Sequence, residues 1–95
     1  MSKQPDKNPA GILADVGRAL FELEHEEPPK WPGRLARALG VKGETLRSWR
    51  RGHDARFGTD HPALDRLLEL VSQRRAEIAR AEEELREWLR RNRTA

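Results

Sequence analysis

Cysteine is absent from the 95 residues. That excludes a disulfide framework and a thiolate metal site, and it makes the cytoplasm the expected compartment. Long apolar runs are missing too. Nothing approaches the roughly 18 residues needed to cross a bilayer, and the opening MSKQPDKNP lacks the apolar stretch of a signal peptide, so no membrane association is expected. Large hydrophobic side chains are few: of the 36% hydrophobic residues eleven are alanine, and 23 large side chains remain. That fills a compact core of about four or five helices and leaves no deep substrate cavity within one subunit. Neither a small-molecule substrate nor a cofactor is expected.

Charge is plentiful and unevenly placed. Residues 1–29 carry a net −3, residues 30–56 a net +6 and residues 57–95 zero. A basic middle third between acidic and neutral flanks points to a localised anionic partner, nucleic acid before membrane. Scatter in a short charged chain is the alternative. Fifteen of the nineteen basic residues are arginine, which suits phosphate and guanine contacts and equally suits a GC-rich genome.

Residues 1–9, with Pro5 and Pro9, read as a flexible tail. From Ala10 to Glu24 the pattern is helical, with Ile12, Val16, Leu20 and Leu23 on one stripe and Leu13 and Phe21 beside it. The acidic cluster Glu24, Glu26 and Glu27 opposes the dipole at that helix's end, and Pro28–Pro29 close it. Pro32 suits the first turn of a second helix, which holds Leu35, Ala36 and Leu39 and ends at Gly40. Glu44 opens a third, with Leu46 and Trp49 as its apolar pair and Gly52 as its stop. His53 to Pro62 reads as a loop with Phe57 tucked into the core.

From Ala63 to about Asn92 there is neither glycine nor proline. Leu64, Val71, Ile78 and Leu85 fall at heptad position a, and Leu67, Arg74, Ala81 and Trp88 at d. Such a helix is ~45 Å long, more than a compact domain of this size needs. Its second half requires either a bend near Ser72–Arg75 or a partner chain, and the partner is expected. The organisation is therefore a tail (1–9), an all-α domain (10–71), a pairing extension (72–92) and a flexible end (93–95).

The segment from Pro32 to Arg51 carries the functional signal. Two helices crossing at a tight turn need a small residue at the crossing, Ala36, and one tolerant of positive φ at the turn, Gly40. Once Leu35, Leu39, Val41, Leu46 and Trp49 face inward, Glu44, Arg47, Ser48 and Arg51 share the opposite face. Arginine grips guanine O6 and N7, glutamate accepts from cytosine N4, and serine serves either kind of edge. The alternative is a helical bundle whose basic face is simply solvated.

Leu35-Ala36-Arg37-Ala38-Leu39-Gly40-Val41, followed by Glu44-Thr45-Leu46-Arg47-Ser48-Trp49-Arg50-Arg51-Gly52, resembles the helix-turn-helix of small phage and bacterial transcription regulators of the Cro/repressor type. Trp31, just before the first motif helix, and Trp49, ending the second ahead of basic residues and glycine, match the same pattern. The likeness covers about residues 12–71, and its specific part is residues 31–52. It implies a helix-turn-helix bundle whose helix near residues 43–51 enters the major groove of double-stranded DNA. Base edges would then be read by Lys42, Glu44, Arg47, Ser48 and Arg51. Phosphates would be met by Lys30, Arg34, Arg37, Thr45, Arg50, His53 and Arg56, each of which is otherwise a solvated surface residue. Many relatives carry glutamine at the position of Pro32 and a polar residue at that of Gly43, so those two contacts are missing here.

No Ser–His–Asp grouping, paired carboxylates in a pocket or phosphate loop is present, so no enzyme is expected. His25, His53 and His61 sit at segment ends without ligand spacing, so neither is a metal. One helix-turn-helix module buries roughly 600–1,000 Å² on DNA, and specific binding generally takes two. Ile78, Ala81, Leu85, Trp88 and Leu89 form the expected dimer interface, with Glu77 and Glu84 at g near Arg75 or Arg80 of the other chain. A two-fold dimer implies an inverted repeat with half-sites about 34 Å apart, or a multiple. Arg74 on the seam counts against an ideal parallel coiled coil and leaves an antiparallel or crossed arrangement as the alternative. The leading expectation is a homodimeric transcription regulator, a repressor that occupies an operator. With no room for a ligand domain, its control would come from concentration or from a partner protein. The other reading is a protein-interaction module, an antitoxin or phage-encoded inhibitor, acting through the last helix.

Overall fold

The computed structural model describes residues 8–93, which form four helices and no strand: α1 (Pro9–Phe21), α2 (Trp31–Leu39), α3 (Gly43–Arg50) and α4 (Pro62–Arg93). The all-α architecture with a long last helix is what the chain adopts.

The helix α1 begins earlier and ends earlier than its periodicity predicts. Asn8 and Pro9, expected in the tail, are its start. The Asn8 side chain accepts from the Gly11 N–H at 2.7 Å, and Pro9 brings no orphan donor to the first turn. The rest of the expected tail lies outside the described residues. At the other end α1 stops at Phe21, and His25 adopts a left-handed φ of 67° before Pro28 is reached. Acidic side chains at a helix C-terminus are unfavourable, and here Glu26 leaves the helical path to meet Arg34.

The buried face of α1 also differs from the expected stripe. Leu13 is fully buried, whereas Ile12 is 39% and Leu23 58% exposed. The reason is Gly17, one turn after Leu13. A Cβ there would run into the Leu35 side chain and stand 3.1 Å from the Trp31 ring. The absent side chain lets α2 come close against this face; Val16 and Leu20 of the expected stripe pack at the edge of the core, and its ends, Ile12 and Leu23, are turned outward.

Trp31, Leu35 and Ala36 of α2 are buried against α1. The helix ends on Gly40 at φ 73°, where the Gly40 N–H donates to the Arg37 carbonyl and the Val41 N–H to the Ala36 carbonyl. This pair of bonds closes a helix on a left-handed residue, which glycine adopts without strain. Leu46 and Trp49 bury α3 in the same core. Trp49 then stacks on Phe57, their centroids 4.7 Å apart, which brings the loop after α3 into the interior as expected.

The start of α4 is fixed by His61, whose Nδ1 accepts from the Ala63 N–H at 3.0 Å while its ring packs edge-on against Trp49. Ala63 and Leu67 close the core. The helix then runs unbroken through residues 72–75, where a bend was one alternative, and across the expected boundary at residue 71. Arg74 is its last tie to the body, donating to the Leu20 carbonyl at 3.2 Å. Beyond it the side chains stand in solvent, apart from a half-covered Leu89. The radius of gyration is 17.5 Å, against about 12–13 Å for a compact chain of this length.

Candidate nucleic-acid interface

Burial of Leu46 and Trp49 sets the rotation of α3 and so decides what its outer side presents. Lys42, Glu44, Arg47 and Arg51 are exposed, and Thr45 and Ser48 are half-buried at the edges of that face. Among the described residues, the side chains of Lys42, Arg47 and Arg51 make no hydrogen bond or ion pair. Their donors are available to a ligand.

Arg47, Arg50 and Arg51 share the wall of a cleft of about 460 Å³ with Asn8, Ala10 and Gly11 at the start of α1. Three guanidinium groups and the positive end of a helix thus border one concavity, an electrostatically favourable place for an anion. The sequence does not reveal this neighbourhood, because Asn8 falls in the expected tail and nothing local links it to α3. A second cleft of about 330 Å³ runs between Pro32 and Gly33 on α2 and Gly43, Arg47 and Arg50 on α3.

The remaining basic residues divide by what already holds them. Lys30, Arg37 and His53 are exposed around the α2–α3 unit. The Arg50 guanidinium lies 4.7 Å from the centroid of the Trp31 ring, which anchors its stem while its edge still lines both clefts. Arg56 pairs with Asp54 at 3.4 Å, and the Arg56 N–H donates to the same carboxylate, holding Asp54 below the usual aspartate range. Arg34, expected on the phosphate-contacting surface, is occupied elsewhere. Both of its Nη atoms donate to Glu26 at 2.7 Å, and Nη1 donates to the Phe21 carbonyl at 3.1 Å.

The expected dimer residues lie far from this surface. Ile78 (60% exposed), Leu85 (56%) and Trp88 (53%) project from the free half of α4, with Ala81 exposed and Leu89 half-covered. Among the described residues no three His, Asp or Glu side chains come together in a metal-binding group, and no helix is long and apolar enough to cross a membrane. His61 and His25 stand apart, the first as a helix cap and the second in the α1–α2 connection.

The chain matches no family model, no curated protein and no solved structure.

Proposed function

We propose that this protein is a sequence-specific regulator of transcription that binds duplex DNA through a helix-turn-helix formed by α2 and α3. The observation that carries the reading is the outer face of α3. Lys42, Arg47 and Arg51 are exposed there and, among the described residues, unpaired, on a helix whose other side is locked into the core by Leu46 and Trp49. A short rigid helix with free guanidinium groups on one side fits the width of the major groove. Arg47, Arg51, Glu44 and Ser48 read base edges in this arrangement. Lys30, Arg37, Arg50 and His53 set the register on phosphates, with Lys42 at the start of α3 on either duty. Arg34 is removed from that set because its charge is paired with Glu26 and three of its five N–H donors are held by Glu26 and Phe21.

Two copies joined by α4 would double the interface and read an inverted repeat, and occupancy of such an operator would make the protein a repressor. Selection of random duplex DNA by the purified protein at ~150 mM salt, read by sequencing, tests this directly. An enriched inverted repeat is the expected result. Recovery of no preferred sequence, with binding that does not weaken between 50 and 200 mM salt, would remove the DNA-binding reading. One observation favours a second reading, a protein-interaction module: the free half of α4 displays Ile78, Leu85 and Trp88 more than half exposed.

A further inference from the structure

We propose that a second copy of this chain covers the free half of α4 in an antiparallel arrangement, with the two-fold axis at Glu83. The inference rests on the homodimer of the reading above and names its geometry. It does not depend on contact with DNA.

Orientation follows from where the body sits. Leu67 and Arg74 point from α4 toward the chain's own α1 and α2, and the same heptad face continues as Ile78, Ala81, Leu85 and Trp88. A parallel partner would have to lay its own body on this face at the same height, where the first body already stands. An antiparallel partner puts the two bodies at opposite ends and leaves the free halves to meet.

Register follows from packing. Antiparallel pairs set each a residue against a d residue of the other chain. A single axis at residue 83 places Ile78 against the partner's Trp88 and Leu85 against the partner's Ala81, large side chain against small in the central layers. The same axis brings Arg74 opposite the partner's Asn92. Asn92 donates its amide to the Trp88 carbonyl at 2.7 Å and leaves its oxygen to accept. The shallow groove of Ala81, Leu85 and Trp88, flanked by Glu84 and Arg91, is what the partner's Leu85 and Ile78 would fill.

Opposite charges meet at both ends. In this register Glu77 faces the partner's Arg91, twice per dimer. The partner's last turn, with Arg91 and Arg93, arrives beside the end of α1, where Arg74 holds the Leu20 carbonyl and Glu22 and Glu24 follow. Like charges approach at the axis, Glu84 to Glu84 and Glu82 to Glu82, and at the ends, where Arg74 and Arg75 stand level with the partner's Arg91 and Arg93. Glu82 is offset by its own Arg86 at 3.5 Å.

The natural absence of cysteine allows a direct test. Full-length Ala81→Cys and Leu85→Cys, mixed and oxidised without DNA, should give a disulfide between the two variants, and neither alone should cross-link. Cross-linking of Ala81→Cys by itself would indicate a parallel pair and overturn the proposal. So would a wild-type chain that sediments as a monomer at ~100 µM. Charge reversal supplies the second arm: Glu77→Arg and Arg91→Glu should each weaken the dimer about tenfold, and the double variant should recover it. In a parallel pair Glu77→Arg would meet the partner's Glu82 and strengthen association, which would also overturn it. A dimer that selects no DNA sequence would sink the DNA-binding reading alone. Operator binding by a monomer would sink only this one.

Discussion

Arg34 clasps Glu26 with both arms of its guanidinium, each Nη–Oε distance 2.7 Å, and its Nη1 also donates to the last carbonyl of α1 at Phe21. One side chain thereby ties the end of α1, the acidic connection and α2 together. Side-chain hydrogen bonds from Arg34 hold Glu26 below its ordinary value of 4.5, and the same contact raises Arg34. A carboxylate depressed in the folded state contributes stability that is in place above its unfolded value and is lost as pH falls through the folded one. Acid titration of thermal stability below about pH 4.5 should therefore fall less steeply in Glu26→Gln than in wild type. Parallel slopes would show that the clasp contributes nothing to folding.

Gly17 lies where α1 packs on the Leu35 and Trp31 side chains of α2. Alanine there gains up to ~1 kcal/mol of helix propensity, but its methyl group would overlap Leu35, which is fully buried. Overpacking costs about 1–3 kcal/mol, so Gly17→Ala should be net destabilising, by up to about 2 kcal/mol. Urea unfolding measures it, and a more stable variant would mean that the helices separate without penalty.

The cap on α4 predicts a graded series at His61. Removing its acceptor in His61→Ala should cost about 1–2 kcal/mol, since the Ala63 N–H loses its partner and the contact with Trp49 and Phe57 is lost. His61→Asn restores an acceptor of the right reach but not the ring, so it should recover part of the loss. Equal stability of the two variants would assign the whole effect to ring packing.

If α3 reads DNA as proposed, Arg47→Ala should cost about 1–3 kcal/mol of binding and relax base preference at one position of each half-site. Arg37→Ala should weaken binding evenly across sequences and lower the salt slope by about one. Fluorescence anisotropy on the selected duplex and on single-base variants separates the two patterns. Wild-type affinity and preference in Arg47→Ala would mean that this face does not enter the groove.

Much of the fold is legible in the sequence because its signals are local. Gly40 between two apolar pairs, Pro32 at a helix start and the Leu46–Trp49 spacing each depend on residues within a turn or two, and each takes the place its chemistry requires. Phe57 was legible as the single large apolar residue in a polar loop. The errors arise where a local pattern has two solutions. Ile12 and Leu13 are adjacent, so periodicity alone admits either as the centre of the buried stripe. Pro28 and Pro29 are strong helix stops, but Glu26 had already been drawn out of α1 by a residue eight positions later.

The candidate surface follows the same division. By itself the sequence determined a basic middle segment and the outer face of α3, because composition and a 3.6-residue repeat suffice to place them. It also determined that α4 outruns its domain, since helix length is fixed by rise per residue. Only the tertiary structure decided that Leu13 rather than Ile12 is buried and that Gly17 admits α2. It likewise decided that Arg34 is paired with Glu26 while Arg47 and Arg51 have no partner among the described residues, and that Asn8 borders the arginine cleft. Each of these depends on the distance between side chains on different helices or loops, and such distances exist only once the helices have packed.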